Sequence, residues 1–223
     1  MNKAIEALDF GLFFNGGQCC CASSRIYVHD DIYDEFVQKM TERAKAKMVS
    51  DQFSDLNQAP TAIQGPQVDE DQHNKIIELI NSGIAEGATL NCGGGAGSDQ
   101  GYFIQPTVFS DVKDDMRIAK EEIFGPVMQI MRFNDTADVL ARANDSSYGL
   151  AAAVFTQDIN TMHHAADALR AGTVWVNCYD NFDLAAPFGG FKMSGQGREK
   201  SEYALELYSE VKAVTIAIDQ KNS

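Results

Sequence analysis

The stretch FFNGGQCCCASSRIYVHDDIYDEFV (Phe13–Val37) carries a glycine turn and three consecutive cysteines between two helical patterns. Arg25–Val28 reads as a strand, because β-branched and aromatic residues are grouped there. Ahead of the turn, MNKAIEALDFGLFF has the apolar spacing of an amphipathic helix. The apolar positions of that helix are Ile5, Leu8, Leu12 and Phe13. The segment therefore predicts a helix, a turn, a strand and a second helix in succession.

The rest of the chain continues this alternation of helix and strand. Helices are predicted over about Asp30–Met48, Asp69–Ala85, Thr136–Asn144 and Asp158–Ala171. Strands are predicted at Thr89–Cys92, Phe103–Phe109, Val127–Phe133, Ala151–Phe155 and Thr173–Asn177. We expect the first of these helices to bury one face, formed by Ile32, Phe36, Val37 and Met40. Asp51–Pro66 is the one long loop, and Gly172 is expected to close the last helix. The pattern predicts an α/β domain with a largely parallel sheet.

The composition narrows the classes of partner. The chain has 223 residues and a net charge of −14. That charge would repel nucleic acid and an anionic membrane surface, so we expect neither as a partner. No apolar run approaches the length of a membrane span. Five cysteines, three of them adjacent, do not resemble an extracellular disulfide framework and favour a reducing compartment.

The spacing of the cysteine triplet Cys19, Cys20 and Cys21 restricts the kinds of site that it can form. Zinc motifs usually leave two to four residues between paired cysteines, and a bridge between neighbours is strained. We therefore expect no metal site and no structural disulfide. Packing as small buried hydrophobes and reactive-thiol chemistry both remain open. A cysteine on a glycine turn can have its thiolate, and an oxyanion formed by it, stabilised by backbone N–H groups.

The triplet and its frame resemble the catalytic segment of aldehyde dehydrogenases, in which an asparagine precedes Gly-Gln-x-Cys. The resemblance implies that Cys20 is the nucleophile and that Cys19, Cys21 and Phe14 line the substrate tunnel. Gly16 stands where close relatives usually carry a larger side chain. The family also implies a three-layer αβα catalytic domain over residues 1–208, followed by an oligomerisation strand and tail over residues 209–223.

Two later segments extend the resemblance. KEEIFGPV (Lys120–Val127) on its own reads as a helix ending before a Gly-Pro turn. In the family this segment holds the nicotinamide end of NAD or NADP, which implies that Glu122 binds the ribose and Phe124 packs on the ring. TVWVNCYDNFDLAAPFGGFKMSGQGRE (Thr173–Glu199) resembles the mouth of the tunnel, with Phe182 and Phe188 on its wall. Val211–Ile218 resembles the strand that pairs subunits.

The resemblance runs the full length of the chain but leaves out the family's N-terminal cofactor domain and general-base glutamate. It implies a small aldehyde as substrate, a homo-oligomer (dimer or tetramer) in the full-length form, and the cytoplasm or mitochondrial matrix as the compartment. Two other hypotheses remain. The chain could be a truncated, non-catalytic relative that pairs with full-length subunits, or a thiol redox sensor built on Cys20.

Overall fold

A computed structural model describes residues 1–49 and 63–218, so most of the predicted loop Asp51–Pro66 lies outside the described residues. The helices are α1 (Asn2–Phe13), α2 (Asp30–Lys45), α3 (Glu70–Ala85), α4 (Arg117–Lys120), α5 (Thr136–Asn144) and α6 (Ile159–Ala168). The strands are β1 (Arg25–His29), β2 (Met48–Val49), β3 (Ile63–Gln64), β4 (Thr89–Cys92), β5 (Thr107–Ser110), β6 (Val127–Phe133), β7 (Ala151–Val154) and β8 (Thr173–Val176). Short 3-10 helices cover Phe14–Gly17, Lys192–Ser194 and Glu202–Tyr208.

The main sheet has the strand order β1-β6-β5-β4. β1 pairs with β6 and β6 pairs with β5 in parallel, whereas β4 joins the edge antiparallel to β5. Two further parallel pairs, β2-β3 and β7-β8, stand as separate ladders. The prediction of an α/β fold with a largely parallel sheet is confirmed.

Helices cover both faces of this sheet, because successive side chains of β6 pack alternately into two different cores. Met128 and Ile130 pack in a core with apolar residues of α1 and α2. Val127 and Met131 point into a second core with α3 and α4. Because successive strand residues face opposite sides, a strand buried on both sides reads as a continuous apolar run. The result is the predicted αβα layering.

Two predicted helices are shorter than expected. α2 ends at Lys45, and Met48 starts β2 instead of continuing the helix. Ile32 is 44% exposed, because the buried face of α2 is formed by Tyr33, Phe36, Met40 and Ala44. α6 ends at Ala168 because the Asn144 side chain binds the backbone there, donating to the Ala168 carbonyl at 2.8 Å. Gly172 therefore does not close the helix.

One predicted strand also requires correction, and another stays untested. Phe103–Phe109 is interrupted at Pro106, which has no N–H for a ladder, and β5 starts only at Thr107. Ile104 makes only an isolated bridge to Ala96. Val211–Ile218 pairs with none of the described residues, and because its expected partner is another subunit, the oligomerisation strand stays a prediction. Among the described helices, none is both long and apolar enough to cross a bilayer.

Candidate functional site

The turn that carries the cysteines is held in an unusual backbone conformation. Asn15, Gly16 and Gly17 have φ values of 51°, 63° and 76°, in the left-handed region. A side chain on Gly17 would lie 2.1 Å from the carbonyl oxygen of Gly125. Glycine is therefore required at Gly17 both by conformation and by close packing. This contact brings the segment before β6 directly against the cysteine turn.

Side-chain amides from the start of α3 and the segment before it brace both segments. Gln67 donates to the carbonyl of Gly16 at 3.4 Å, and Gln18 accepts from the backbone N–H of Val68 at 2.9 Å. Gln72 donates to the carbonyls of Ile123 and Phe124 at 3.0 and 2.8 Å. The turn and the segment before β6 are thus fixed by one common element.

The three cysteines occupy different environments. Cys20 is exposed, Cys19 is half-buried and Cys21 is buried. The Sγ atoms of Cys19 and Cys21 lie 3.5 Å apart, within thiol hydrogen-bond distance. Cys21 also donates from Sγ to Oδ1 of Asp180 at 3.1 Å. Cys20 is therefore the most exposed of the three, while its neighbours bind to each other and, through Cys21, to a distant loop.

The surroundings of Cys20 act on its pKa in both directions. Partial burial raises the pKa of its thiol most, and the charges of Cys19 and Glu122 raise it further. Its own backbone N–H and the Cys21 thiol lower the pKa by hydrogen bonding to the thiolate. The pKa of Cys21 is raised well above its ordinary value, first by burial and then by the hydrogen bond to Asp180. The arrangement keeps Cys21 a neutral thiol and places an N–H beside the sulfur of Cys20.

The loop after β8 supplies two residues that the sequence analysis did not single out. The Tyr179 hydroxyl donates to the carbonyl of Cys21 at 2.7 Å, and Asp180 accepts the Cys21 thiol. Asp180 has a φ of 56°, so its backbone lies in the left-handed region. In open α/β sheets ligands bind beyond the carboxyl ends of the strands, and YD in the string NCYDNFD begins three residues after β8 ends at Val176. The sequence separation of 159 residues hid its connection to Cys21.

The aromatic residues predicted for the tunnel form two groups. Phe182 packs edge-to-face on Phe188 and on Trp175, with centroids 5.2 and 5.5 Å apart. Trp175 also contacts Tyr179 at 5.0 Å, which joins this group to Cys21. Phe14 is 53% exposed and packs against Phe10 at 5.4 Å. Phe182 and Phe188 therefore connect to the cysteine turn through Trp175 and Tyr179.

A groove of about 1600 Å³ runs between β1 and β7. Cys20, Cys21, Glu122 and Tyr179 lie on its wall. Glu122 is exposed and Phe124 is half-buried with a φ of 56°. The predicted cofactor residue Glu122 thus shares a groove with the nucleophile, whereas Phe14, Phe182 and Phe188 do not line it.

Comparisons with known proteins point to one family. Residues 1–214 match the model of the aldehyde dehydrogenase family. The chain is 59% identical to mitochondrial aldehyde dehydrogenase of Mesocricetus auratus and 56% identical to human retinal dehydrogenase 2, over all 223 residues. It covers 44% and 42% of these two proteins, and so spans less than half their length. The NAD+ complex of a Bacillus cereus aldehyde dehydrogenase superposes with a TM-score of 0.91 at 44% identity, over 98% of this chain and 43% of that one.

Proposed function

Because the chain belongs to the aldehyde dehydrogenase family, we propose that it supplies the nucleophile and part of the cofactor site for oxidation of an aldehyde to a carboxylic acid. The observation that carries this proposal is the position of Cys20. It is the one exposed sulfur of the triplet, on a braced turn, with its backbone N–H close enough to lower its pKa. Cys19 and Cys21 are withheld from the same role by burial and hydrogen bonding.

The chemistry proceeds on the Cys20 sulfur. Its thiolate forms a C–S bond with the aldehyde carbon, and the carbonyl electron pair moves onto oxygen. The backbone N–H of Cys20 donates to that oxyanion, as a preorganised dipole that needs no reorientation. Loss of hydride from the carbon leaves a thioester on Cys20, and water then releases the acid and the thiol. The family's general base for the water step is expected from the half of the enzyme that this chain does not span.

NAD or NADP would bind in the groove beside the cysteine turn and would accept the hydride there. Glu122 offers an exposed carboxylate on the groove wall, suited to accepting hydrogen bonds from a ribose diol. Phe124 lies two residues after Glu122, and Gln72 donates a hydrogen bond to its backbone carbonyl. With the backbone held in this way, the Phe124 ring is available to pack on the apolar face of the nicotinamide. These two residues would orient the cofactor, with Cys20 on the same wall.

The aromatic group of Trp175, Phe182 and Phe188 supports an aliphatic or aromatic aldehyde as substrate. It is joined to the nucleophile turn through Tyr179 and presents apolar edges to incoming substrate. We assign the chain to the cytoplasm or the mitochondrial matrix, where thiols are kept reduced, because five free cysteines suit such a compartment.

A chimera tests this function. Residues 1–223 replace the matching stretch of the Mesocricetus auratus mitochondrial enzyme, which then supplies the remaining parts, and NADH formation from NAD+ and acetaldehyde is followed. We expect turnover, and Cys20→Ser is expected to reduce kcat by at least roughly a thousandfold, as for other nucleophiles. Cys92→Ser is the matched control, since Cys92 is half-buried on β4. Equal activity of the two variants would refute the role of Cys20.

A second candidate is a non-catalytic role, in which the chain pairs with full-length subunits. The segment from residue 209 to residue 218 favours it, because its apolar side chains are exposed: Val211, Val214, Ile216 and Ile218. Such a row suits strand addition to another subunit. Both candidates require the same pairing surface, and only the first requires Cys20, so the chimera separates them.

A further inference from the structure

We propose that Cys19, Cys21 and Asp180 form a binding site for a thiophilic divalent cation of the zinc class. The site does not depend on the proposed reaction, because it uses the two sulfurs that the reaction leaves idle. It also differs from our expectation from sequence, which excluded a metal site on the spacing of the cysteines within the triplet. Residues i and i+2 of the turn bring their sulfurs to one side, and a carboxylate from the loop after β8 completes the group.

The distances between the three ligand atoms suit tetrahedral coordination. The two Sγ atoms are 3.5 Å apart, and Sγ of Cys21 is 3.1 Å from Oδ1 of Asp180. All the ligand atoms lie within 4.8 Å of one another. Bonds of about 2.3 Å to sulfur and 2.0 Å to oxygen place tetrahedral ligands roughly 3.5 to 3.8 Å apart. The two measured separations lie within a few tenths of an ångström of these values, and the third, between Cys19 and Asp180, is no more than 4.8 Å.

The net charge of the site also favours the exchange of two thiol protons for one Zn²⁺ ion. With both cysteines written as thiols and Asp180 as a carboxylate, the three groups carry a formal net charge of −1. When Zn²⁺ binds, two S–H bonds break, two Zn–S bonds form, and two protons pass to water. The two lost protons and the gained Zn²⁺ cancel, so the site still carries −1, and no atom changes its oxidation state. Burial of the site thus opposes zinc less than it would oppose an uncompensated ion.

The protein holds these ligands in place before any ion arrives. The carbonyl of Cys21 accepts from the Tyr179 hydroxyl at 2.7 Å, which ties the turn to the loop that carries Asp180. The Tyr179 ring packs over Gly11, where an added side chain would come within 2.5 Å of it. Outer contacts of this kind orient metal ligands and commonly change affinity by about ten- to a hundredfold.

The site flanks the nucleophile. Cys20 lies between two of the proposed ligands in the chain, and its side chain is exposed beside them. A cation between Cys19 and Cys21 therefore occupies the space next to the Cys20 sulfur, and we infer that it blocks that thiol reversibly. The expected consequence is that Zn²⁺ slows alkylation of Cys20 and that EDTA restores it.

Cadmium titration of the chain tests the site, with Cys92 and Cys178 replaced by serine to remove other thiols. Cd²⁺ bound to thiolates gives an ultraviolet charge-transfer band, and Zn²⁺ should displace it at one ion per chain. We expect Asp180→Asn and Cys19→Ser to weaken binding by roughly tenfold or more. Cys20→Ser and the loop control Asp183→Asn should retain it. A far-ultraviolet circular dichroism spectrum identifies any variant that fails to fold.

Two results would overturn the proposal. If Asp180→Asn bound Cd²⁺ as tightly as Asp183→Asn, the carboxylate would not be a ligand. If Cys20→Ser lost as much affinity as Cys19→Ser, the ion would bind an unstructured group of thiols. For the inhibitory role, the decisive result is the rate of Cys20 alkylation with Zn²⁺ bound. A rate unchanged by Zn²⁺ would contradict that role.

Discussion

The cysteine turn and the C-terminal segment of residues 209–218 differ in how much of their structure the chain itself completes. The turn is braced by Gln67 and Gln72 and packed on Gly125. The C-terminal segment has no ladder to any described residue and exposes its apolar side chains, with Ile216 74% exposed. Both segments resemble parts of one family. Only the first is specified by contacts within this chain.

The difference follows from where the backbone hydrogen bonds go. A turn can satisfy its polar groups locally, as Asn15 and Gln18 do when each donates to the other's carbonyl at 3.1 Å. An isolated strand cannot, because its N–H and C=O groups need a neighbouring strand. The cysteine turn should therefore be sensitive to changes within the chain, and the C-terminal segment to changes in assembly.

The largest expected effect comes from Gly17→Ala in the chimera. The new methyl would meet the Gly125 carbonyl at 2.1 Å on a backbone with φ of 76°. We expect a loss of about 3 kcal/mol or more in the free energy of unfolding, measured by urea denaturation, together with loss of activity. Gly16→Ala is the control, since its nearest contact is the flexible end of Gln67 at 3.2 Å. Its expected cost is about 1 kcal/mol; equal costs would show that the Gly125 contact does not matter.

The second effect concerns assembly. Val214 and Ile216 share one side of the C-terminal segment, so replacing both by aspartate puts charge on the face expected to pair. We expect the chimera to dissociate into smaller species on size-exclusion chromatography with light scattering. The unfolding free energy within one subunit should change by less than about 0.5 kcal/mol. Val211→Asp, on the opposite side of the alternation, should leave the mass unchanged, and dissociation by both would argue against a specific pairing face.

The smallest effect tests the electrostatics of the turn. Glu122 raises the pKa of Cys20, so Glu122→Gln should lower that pKa and increase the thiolate fraction at neutral pH. The pH profile of Cys20 alkylation should shift toward lower pH, with a rate near pH 7 roughly twofold higher. The measurement uses iodoacetamide with EDTA present. Glu121→Gln, which removes a partner of Arg117 at 2.7 Å, should leave the profile in place; a shift as large as that of Glu122→Gln would refute the assignment.

Local patterns predicted much of this fold. β4, β6 and α5 have the bounds that periodicity indicated, since each carries its own apolar pattern. Errors arose where a distant group decided the outcome. α6 ends early because Asn144, 24 residues before Ala168, binds its carbonyl. β5 starts late because Pro106 interrupts the ladder.

The candidate site divides in the same way. Cys20 was predicted from its own segment, and the structure places Glu122 on the same groove wall. Tyr179 and Asp180 could not be linked to the turn from sequence. They lie 158 and 159 positions after Cys21, and no local pattern spans such a separation. The geometry of Cys19 and Cys21 was also hidden, since it depends on the left-handed turn that precedes them.

The most direct test of the central claim, that Cys20 is the nucleophile, is to trap the intermediate. The chimera would be mixed with NAD+ and an aromatic aldehyde whose thioester on the enzyme is hydrolysed slowly. The mixture would be quenched in acid and mapped by peptide mass spectrometry. We predict an acyl group on the sulfur of Cys20, and none in the Cys20→Ser variant. An acyl group on Cys19 or Cys21, or NADH formation that continues in Cys20→Ser, would contradict the account.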